Sequence, residues 1–563
     1  MERMIIVRKS IEHIETIWLE FTEKSNEVRK WINDSATDIE PLFLILYSVS
    51  LTLLLTWIWK IFNDEENLLE VIKRNVFSII KRLPIIRTIV AKEIEKAVLQ
   101  IRNNTKKMMS NPDYHLQLPK EGWSKEIILE EIDKYQNSRK INWKNGRVSG
   151  TVYGNNDLEV RDLMTCVFNK TAWTNPLHPD VFPDVIKMET EIVKMVCHLF
   201  GGRNEECGMV TSGGTESIIL ACKTYREYAK YEKGIKCPEI IVPVTAHAAF
   251  EKAAHYLKIR IKKISMNLET MQVDTKAMKK AITKNTCLLV GSSPPFPHGI
   301  LDPIEEIAKL GMKYNIPVHV DACLGGFLLP FMKEAGFDIP VCDFRLPGVT
   351  SISADMHKYG FTPKGSSVIL YRNPTYLRYQ YTVQTDWPGG VYITPNIGGS
   401  RAGSNIATCW ATMMYYGEDG YIETTRRIVK TTRYIENGLR SIPGIFVFGK
   451  PQMSVIAVGS KEFDIFCLIS LLNERGWNLN NLQYPSGFHI CVTLQHTEEG
   501  IADSLLHDIR ECTALIMKDP KSPAKGMAAM YGVAQSIPDR SIVAELATAF
   551  LHCCYDVDQK KAE

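Results

Sequence analysis

Five short apolar runs follow one another along the middle of the chain: Ile240 to Val244, Cys287 to Gly291, Ile316 to Asp321, Val349 to Ala354 and Ser367 to Tyr371. Each is strand length, and stretches of helical period such as Glu305 to Tyr314 lie between several of them. Strands that are apolar throughout are buried on both faces, and strands separated by helices pair in parallel through crossovers. The pattern therefore predicts an α/β fold with a mainly parallel sheet and helices on both faces. Functional groups in such sheets gather beyond the C-terminal ends of the strands. After about residue 420 the texture changes. Ile445 to Phe448, Ser454 to Val458 and Phe488 to Leu494, with helices between, predict a smaller α+β domain.

One segment departs from this. Pro41 to Trp59 carries no charge and is roughly 19 residues long, enough to cross a bilayer as a helix. Trp57 and Trp59 stand at its end, where an interfacial belt would place them. It starts too far into the chain for a cleaved signal peptide. Lys60, Lys73, Arg74, Lys81 and Arg82 follow it, against Lys24, Arg29 and Lys30 before it, which places the larger part in the cytosol. Asn33-Asp34-Ser35 is a glycosylation sequon on the other side. The expected organisation is a luminal tail (1–40), a transmembrane anchor (41–62), a stalk (63–120), a large domain (121–420) and a small one (421–563). Within the stalk, Lys92 to Met109 has helical spacing.

Charge and cysteine content exclude other classes. A net charge of +3 gives no reason to expect nucleic acid as a partner. The 14 cysteines lack metal-ligand spacing, and Cys222, Cys287 and Cys467 sit in apolar stretches. They read as free buried thiols in a reducing compartment, and no metal is expected.

Four motifs carry the chemistry. Lys358 follows the run that ends at Ala354, in Ser353-Ala354-Asp355-Met356-His357-Lys358. Lysine forms imines with carbonyl cofactors, and partial burial lowers its pKa toward reactivity. Asp321 closes the run Ile316 to Val320, where a buried carboxylate needs a cationic partner. Thr211-Ser212-Gly213-Gly214-Thr215-Glu216-Ser217 opens a helical stretch. Its glycines admit a ligand, and the helix start offers N–H groups to a phosphate, with Thr215 and Ser217 as hydroxyl donors. His247 follows Ile240 to Val244 and could lie flat on a ring. Taken singly, these are ordinarily a solvated lysine, a helix-capping aspartate, a turn and a core histidine.

Their chain order, a Gly-Gly-Thr turn, then His247, Asp321 and His357-Lys358, resembles the fold-type I pyridoxal phosphate enzymes of the group II decarboxylase branch. The resemblance implies that Lys358 forms the imine with the cofactor, Asp321 pairs with its pyridine nitrogen and His247 stacks on its ring. Gly214, Thr215, Ser353 and His357 would hold its phosphate.

Three further stretches are similar to the sphingosine-1-phosphate lyase family: Gly146 to Tyr153, Trp173 to Asp180 and Gly360 to Ser367, together with Tyr531 to Glu545. That similarity implies retro-aldol cleavage of a phosphorylated sphingoid base, at the endoplasmic reticulum membrane, to a long-chain aldehyde and phosphoethanolamine. Tyr153, His178 and Lys364 would bind the substrate phosphate, and His178 or Tyr392 would serve as base. It also implies a homodimer with shared sites, in which Gly399 and Ser400 of the turn Ile397 to Arg401 reach a neighbouring subunit's cofactor phosphate. Two departures stand out: Ala402-Gly403-Ser404 after Arg401, where a proline and a second glycine are usual, and Met356 before His357. The alternatives are an amino-acid decarboxylase of the glutamate type and a catalytically inactive membrane scaffold. The uncharged anchor and the set Tyr153, His178 and Lys364 favour a phospholipid-like substrate.

Overall fold

The structure is a computed structural model. It describes residues 40–63, 84–108, 114–155, 157–521 and 540–556, with short stretches at 24–27, 29–30 and 33–34. The described residues fall into two compact units, one drawn from 1–118 with 536–563 and the other from 119–535. Most of residues 1–39, the cations Lys73 to Arg82, Ser35 of the sequon and residues 531–539 lie outside the described residues.

In the first unit, the helix Pro84–Met108 packs against the helix Arg540–Tyr555, and Arg102 pairs with Asp556 at 2.5 Å. The apolar segment is a helix, Pro41–Asn63, with side chains described as far as Thr56. Those from Leu42 to Leu55 are exposed. Among the described residues no helix is long and apolar enough to cross a membrane.

The second unit is built on a seven-stranded sheet. Its strands are β1 (Cys207–Thr211), β2 (Glu239–Pro243), β3 (Arg260–Ile264), β4 (Thr286–Ser292), β5 (Val318–Asp321), β6 (Ser351–Ala354) and β7 (Ser367–Tyr371). The order is β1-β7-β6-β5-β4-β2-β3. Strands β2 to β6 pair in parallel where they adjoin, and β7 runs antiparallel to both β6 and β1. The sheet is therefore mainly parallel, and the five apolar runs are its central strands. Every residue of β2, β4, β5, β6 and β7 is buried, because helices such as Gly214–Lys233 and Ile304–Tyr314 pack against the sheet.

The two strands missing from the apolar pattern are β1 and β3. Both are edge strands. In β3, Arg260 and Lys263 are exposed, and charges of this kind keep an open edge from pairing with another chain. Parallel pairing brings the C-terminal ends of β2, β4, β5 and β6 to one edge of the sheet, and the loops after them build the site.

A four-stranded antiparallel sheet follows, in the order β10-β11-β13-β12. Its strands are β10 (Phe446–Val447), β11 (Val455–Gly459), β12 (Asn480–Leu482) and β13 (Gly487–Cys491). The helix Gly403–Arg440 precedes it and breaks at Gly417, whose φ of 56° and ψ of −174° leave the helical region. A separate hairpin, β8 (Thr382–Gln384) with β9 (Tyr392–Thr394), carries Tyr392. All fourteen cysteines are free, nine of them buried.

Candidate active site

The loop after β6 turns Asp355, His357 and Lys358 into one cluster. Lys358 Nζ lies 2.9 Å from Asp355 Oδ2, and His357 Nε2 lies 3.5 Å from the same oxygen. Ser366 N donates to His357 Nδ1 at 3.4 Å, so that nitrogen carries a lone pair and the proton sits on the side facing Asp355. Burial lowers the His357 pKa, with Asp355 opposing it. Burial alone would raise the Asp355 carboxyl, but Lys358 and His357 hold it below the usual carboxylate range.

Lys358 differs from the sequence expectation. Burial does pull its ammonium down, yet Asp355, with Cys323 and Asp321, more than reverses this and leaves the pKa above the ordinary lysine value. The physical reason is the ion pair, which lies too deep to be screened by water.

The helix Gly214–Lys233 starts against this cluster. A Cβ on Gly214 would lie 2.8 Å from both Asp355 Oδ1 and Cys323 Sγ, so only glycine fits there. No side chain caps this helix at Gly213, which leaves N–H groups of its first turn available to an anion. Asp355 Oδ1 is buried without a hydrogen-bond partner. A lysine beside an orphaned carboxylate oxygen, an uncapped helix start and a glycine cradle suit an anionic aldehyde cofactor such as pyridoxal phosphate.

Asp321 ends β5 beside Ser353 of β6. Its Oδ1 accepts from Cys323 N at 3.1 Å and from Ser353 Oγ at 3.4 Å. The Ser353 hydroxyl also meets Cys323 Sγ and His319 Nε2, both at 3.2 Å. It is therefore engaged beside Asp321 in a fully buried network, unlike the exposed hydroxyl expected of a phosphate ligand. Ser217 departs in the same way. It is fully buried, bonded to Thr211 at 2.7 Å and Ser367 at 2.9 Å, because its side chain turns into the sheet.

Lys364 joins the cluster. Its Nζ donates to the His357 carbonyl at 3.2 Å and stands 4.9 Å from the centre of the Tyr153 ring, a cation–π contact. Tyr153 is buried edge-on against Tyr359 at 4.9 Å. Tyr359 donates to the Val492 carbonyl at 2.7 Å and meets Cys491 Sγ at 3.3 Å.

A cavity of about 450 Å³ lies between the Gly-Gly-Thr turn and the 397–402 loop, lined in part by Ser212, Thr215, Gly365, Gly398, Ser400 and Asn405. Glu216 ties the two walls, accepting from Ser212 N at 2.7 Å and Ile397 N at 3.1 Å. Ser400 accepts from Asn175 Nδ2 at 3.1 Å. Arg401 turns away from any ligand role. Its guanidinium grips buried Glu189 with both nitrogens, one at 2.9 Å, fixing the loop to the helix Pro183–Leu199.

His247 is exposed four residues past β2, and its Nδ1 accepts from Ala249 N at 3.1 Å. His178 is exposed in the turn after Asn175. Tyr392 stands on the hairpin against Trp387, its hydroxyl 2.6 Å from where a Cβ on Gly399 would lie. No hydrogen bond or ion pair among the described residues links His178, His247 or Tyr392 to Lys358. The structure thus gathers Lys358, His357, Gly214, Tyr153 and Lys364, sets Asp321 and Ser353 on the adjoining strand ends, and leaves His178 and Tyr392 outside that cluster. Sequence reasoning assigned no part to Asp355, His319, Glu216 or Cys323. Asp355 had a signal, its spacing of three residues from Lys358. The others are placed by strand register and loop packing.

The chain is similar to known proteins over most of its length. The family model described as the pyridoxal-dependent decarboxylase conserved domain matches residues 109–460. A sphingosine-1-phosphate lyase of Drosophila melanogaster is 52% identical over 505 residues, covering 90% of this chain and 92% of that protein. Sphingosine-1-phosphate lyase 1 of Mus musculus is 47% identical over 543 residues, covering 96% and 95%. Among solved structures, a sphingosine-1-phosphate lyase of Burkholderia pseudomallei superposes with a TM-score of 0.70 at 38% identity, covering 72% of this chain and 94% of its own.

Proposed function

The chain belongs to the sphingosine-1-phosphate lyases, within the pyridoxal-dependent decarboxylase family, and we propose that it cleaves the C2–C3 bond of phosphorylated long-chain bases. The products are a long-chain aldehyde and phosphoethanolamine. The observation that carries this reading is the position of Lys364. Its ammonium is fixed over Tyr153 and on the His357 carbonyl, one residue from the imine lysine. An amino acid undergoing decarboxylation has no phosphate for such a cation to hold.

Bound pyridoxal phosphate supplies an aldehyde for imine formation and a ring that takes up the electron pair left at C2. The protein supplies the rest. Lys358 would be the imine-forming amine, and Asp355 beside it holds the side chain in place. Asp321 would pair with the pyridine nitrogen and His247 would stack on the ring. Gly214, Thr215 and His357 would hold the cofactor phosphate, with Ser353 bonded to Asp321. Lys364, Tyr153 and His178 hold the substrate phosphate through charge-assisted contacts. His178 or Tyr392 takes the C3 hydroxyl proton.

Gly399 and Ser400 serve a neighbouring subunit's site in a homodimer. In support, the hairpin and the loop after it expose Val383, Trp387, Val391, Ile393 and Ile397, each at 55% or more, a cost in water that a partner would remove. The uncharged run to Trp59 and the exposed side chains of Leu42 to Leu55 support a single membrane anchor in the endoplasmic reticulum, with residues after it cytosolic. Two separate sheets support a cofactor domain to about residue 420 and a smaller domain after it.

The test is direct. The purified full chain is loaded with pyridoxal phosphate and given a phosphorylated sphingoid base or glutamate. Aldehyde release from the lipid is expected, and carbon dioxide from glutamate without aldehyde would overturn the reading. Lys358→Ala should abolish both the visible absorbance of the bound cofactor and turnover.

A further inference from the structure

Behind Asp321 lies a histidine that the reaction above does not use. His319 sits two residues earlier on β5, in the run Val318-His319-Val320-Asp321, and is fully buried. Both sequence neighbours are valines, the residues a central strand ordinarily uses throughout. Burying an imidazole there costs desolvation that an aliphatic side chain would not, unless both ring nitrogens find partners. They do. Nδ1 lies 2.8 Å from Ser351 Oγ and Nε2 lies 3.2 Å from Ser353 Oγ.

The register explains the set. In the parallel pair β5–β6, His319 stands opposite Ser351 and Asp321 opposite Ser353. Residues two apart on a strand share a face, so all four side chains line one side of two neighbouring strands. Phe250, three residues after His247, closes on the imidazole edge-on at 6.0 Å.

Counting hydrogens fixes the direction of the chain. A carboxylate only accepts, so the Ser353 hydroxyl spends its single hydrogen on Asp321 Oδ1. His319 must then donate to Ser353 from Nε2. Burial lowers the pKa of this ring to about 4, so it is neutral and carries one hydrogen only. That hydrogen is on Nε2, Nδ1 is an acceptor, and Ser351 donates to it. Every donor in the series points toward Asp321.

Resting on the pyridoxal phosphate reading above, we infer that His319 is a positioning residue for the known reaction, holding Asp321 against the cofactor's pyridine nitrogen through the hydroxyl of Ser353. Aligned hydrogen bonds polarise one another, and here they end on a charge. The carboxylate is thereby aimed, and its pairing with the ring nitrogen would help the ring accept electrons during bond cleavage.

The tautomer gives a test that separates this role from simple packing. In the full-length chain, His319→Gln can place an amide N–H near the Nε2 position, and His319→Leu cannot. The readouts are pyridoxal phosphate affinity, the visible spectrum of the bound cofactor, kcat and KM. For His319→Leu, a loss on the order of tenfold in kcat and cofactor affinity is expected, the size of one neutral hydrogen bond. KM for the phosphorylated base should stay within about twofold, and the cofactor band should shift. His319→Gln should recover most of both. Should His319→Leu fail to fold, Ser353→Ala breaks the middle link and must give the same spectral shift. Equal impairment of the Gln and Leu variants, or an unchanged cofactor spectrum in Ser353→Ala, would overturn the inference. A wild-type chain that takes up no pyridoxal phosphate would instead sink the parent reading.

Discussion

Lys364 shows how much one side chain can carry. Its side chain is exposed, yet nearby protein that desolvates the ammonium, together with Lys358, lowers its pKa, so it is a cation held in place at some cost. A group held like this is already oriented for an incoming phosphate by Tyr153 and the His357 carbonyl, so less side-chain freedom is lost on binding than for a loose lysine. Lys364→Ala is therefore expected to raise KM for the phosphorylated base on the order of tenfold or more, with a smaller change in kcat. Steady-state kinetics check this, and equal constants for variant and wild type would remove Lys364 from the site. At this scale the motif residues that follow strands were legible in the sequence, because a lysine, an aspartate and a glycine turn at strand ends have few joint explanations. Asp355 was in plain view between them. Its part emerged only when the backbone turn put its carboxylate 2.9 Å from Lys358.

At the scale of elements, the decisive junction is the start of the helix Gly214–Lys233 against the ends of β5 and β6. Gly214 has no room for a side chain, since Asp355 Oδ1 and Cys323 Sγ would each lie 2.8 Å from a Cβ. Gly214→Ala should push the helix start away from the loop after β6 and weaken pyridoxal phosphate binding by about tenfold or more. Cofactor titration by absorbance would show this, with the melting temperature of the apo form as control. Wild-type cofactor affinity in that variant would mean that the junction is not the cradle. The central strands were legible because a strand buried on both faces must be apolar along its whole length. Edge strands β1 and β3 were not. With one side open, β3 carries Arg260 and Lys263, and β1 is a short run of Cys207 to Thr211 that only part-buries its first three residues.

For the whole molecule, the buried histidines set a pH limit. Burial lowers His298, His319, His489 and His496 to about 4 each. Unfolding would return them toward the ordinary value near 6.5, so below that pH the unfolded chain binds more protons than the folded one. Their neutral forms thus stabilise the fold fully above about pH 6.5, and this contribution is lost as pH falls from there toward 4. Thermal unfolding of the full chain is expected to move to lower temperature through that window. His298→Gln should flatten the dependence, since both ring nitrogens of His298 are buried without partners. A midpoint unchanged between pH 7 and pH 4.5 would refute this.

The sequence by itself determined the class of sheet, where its central strands lie along the chain and which motifs are candidates for the cofactor. These are written locally, in apolar runs of strand length and in polar residues placed just after them. Tertiary structure alone decided which polar groups face each other. Strand register put Ser353 beside Asp321 and Ser351 beside His319, and a loop turn paired Lys358 with Asp355. The same packing pairs Arg401 with Glu189, far away in the chain. Register and loop packing depend on residues far apart in the chain, and no local pattern encodes the distance between them.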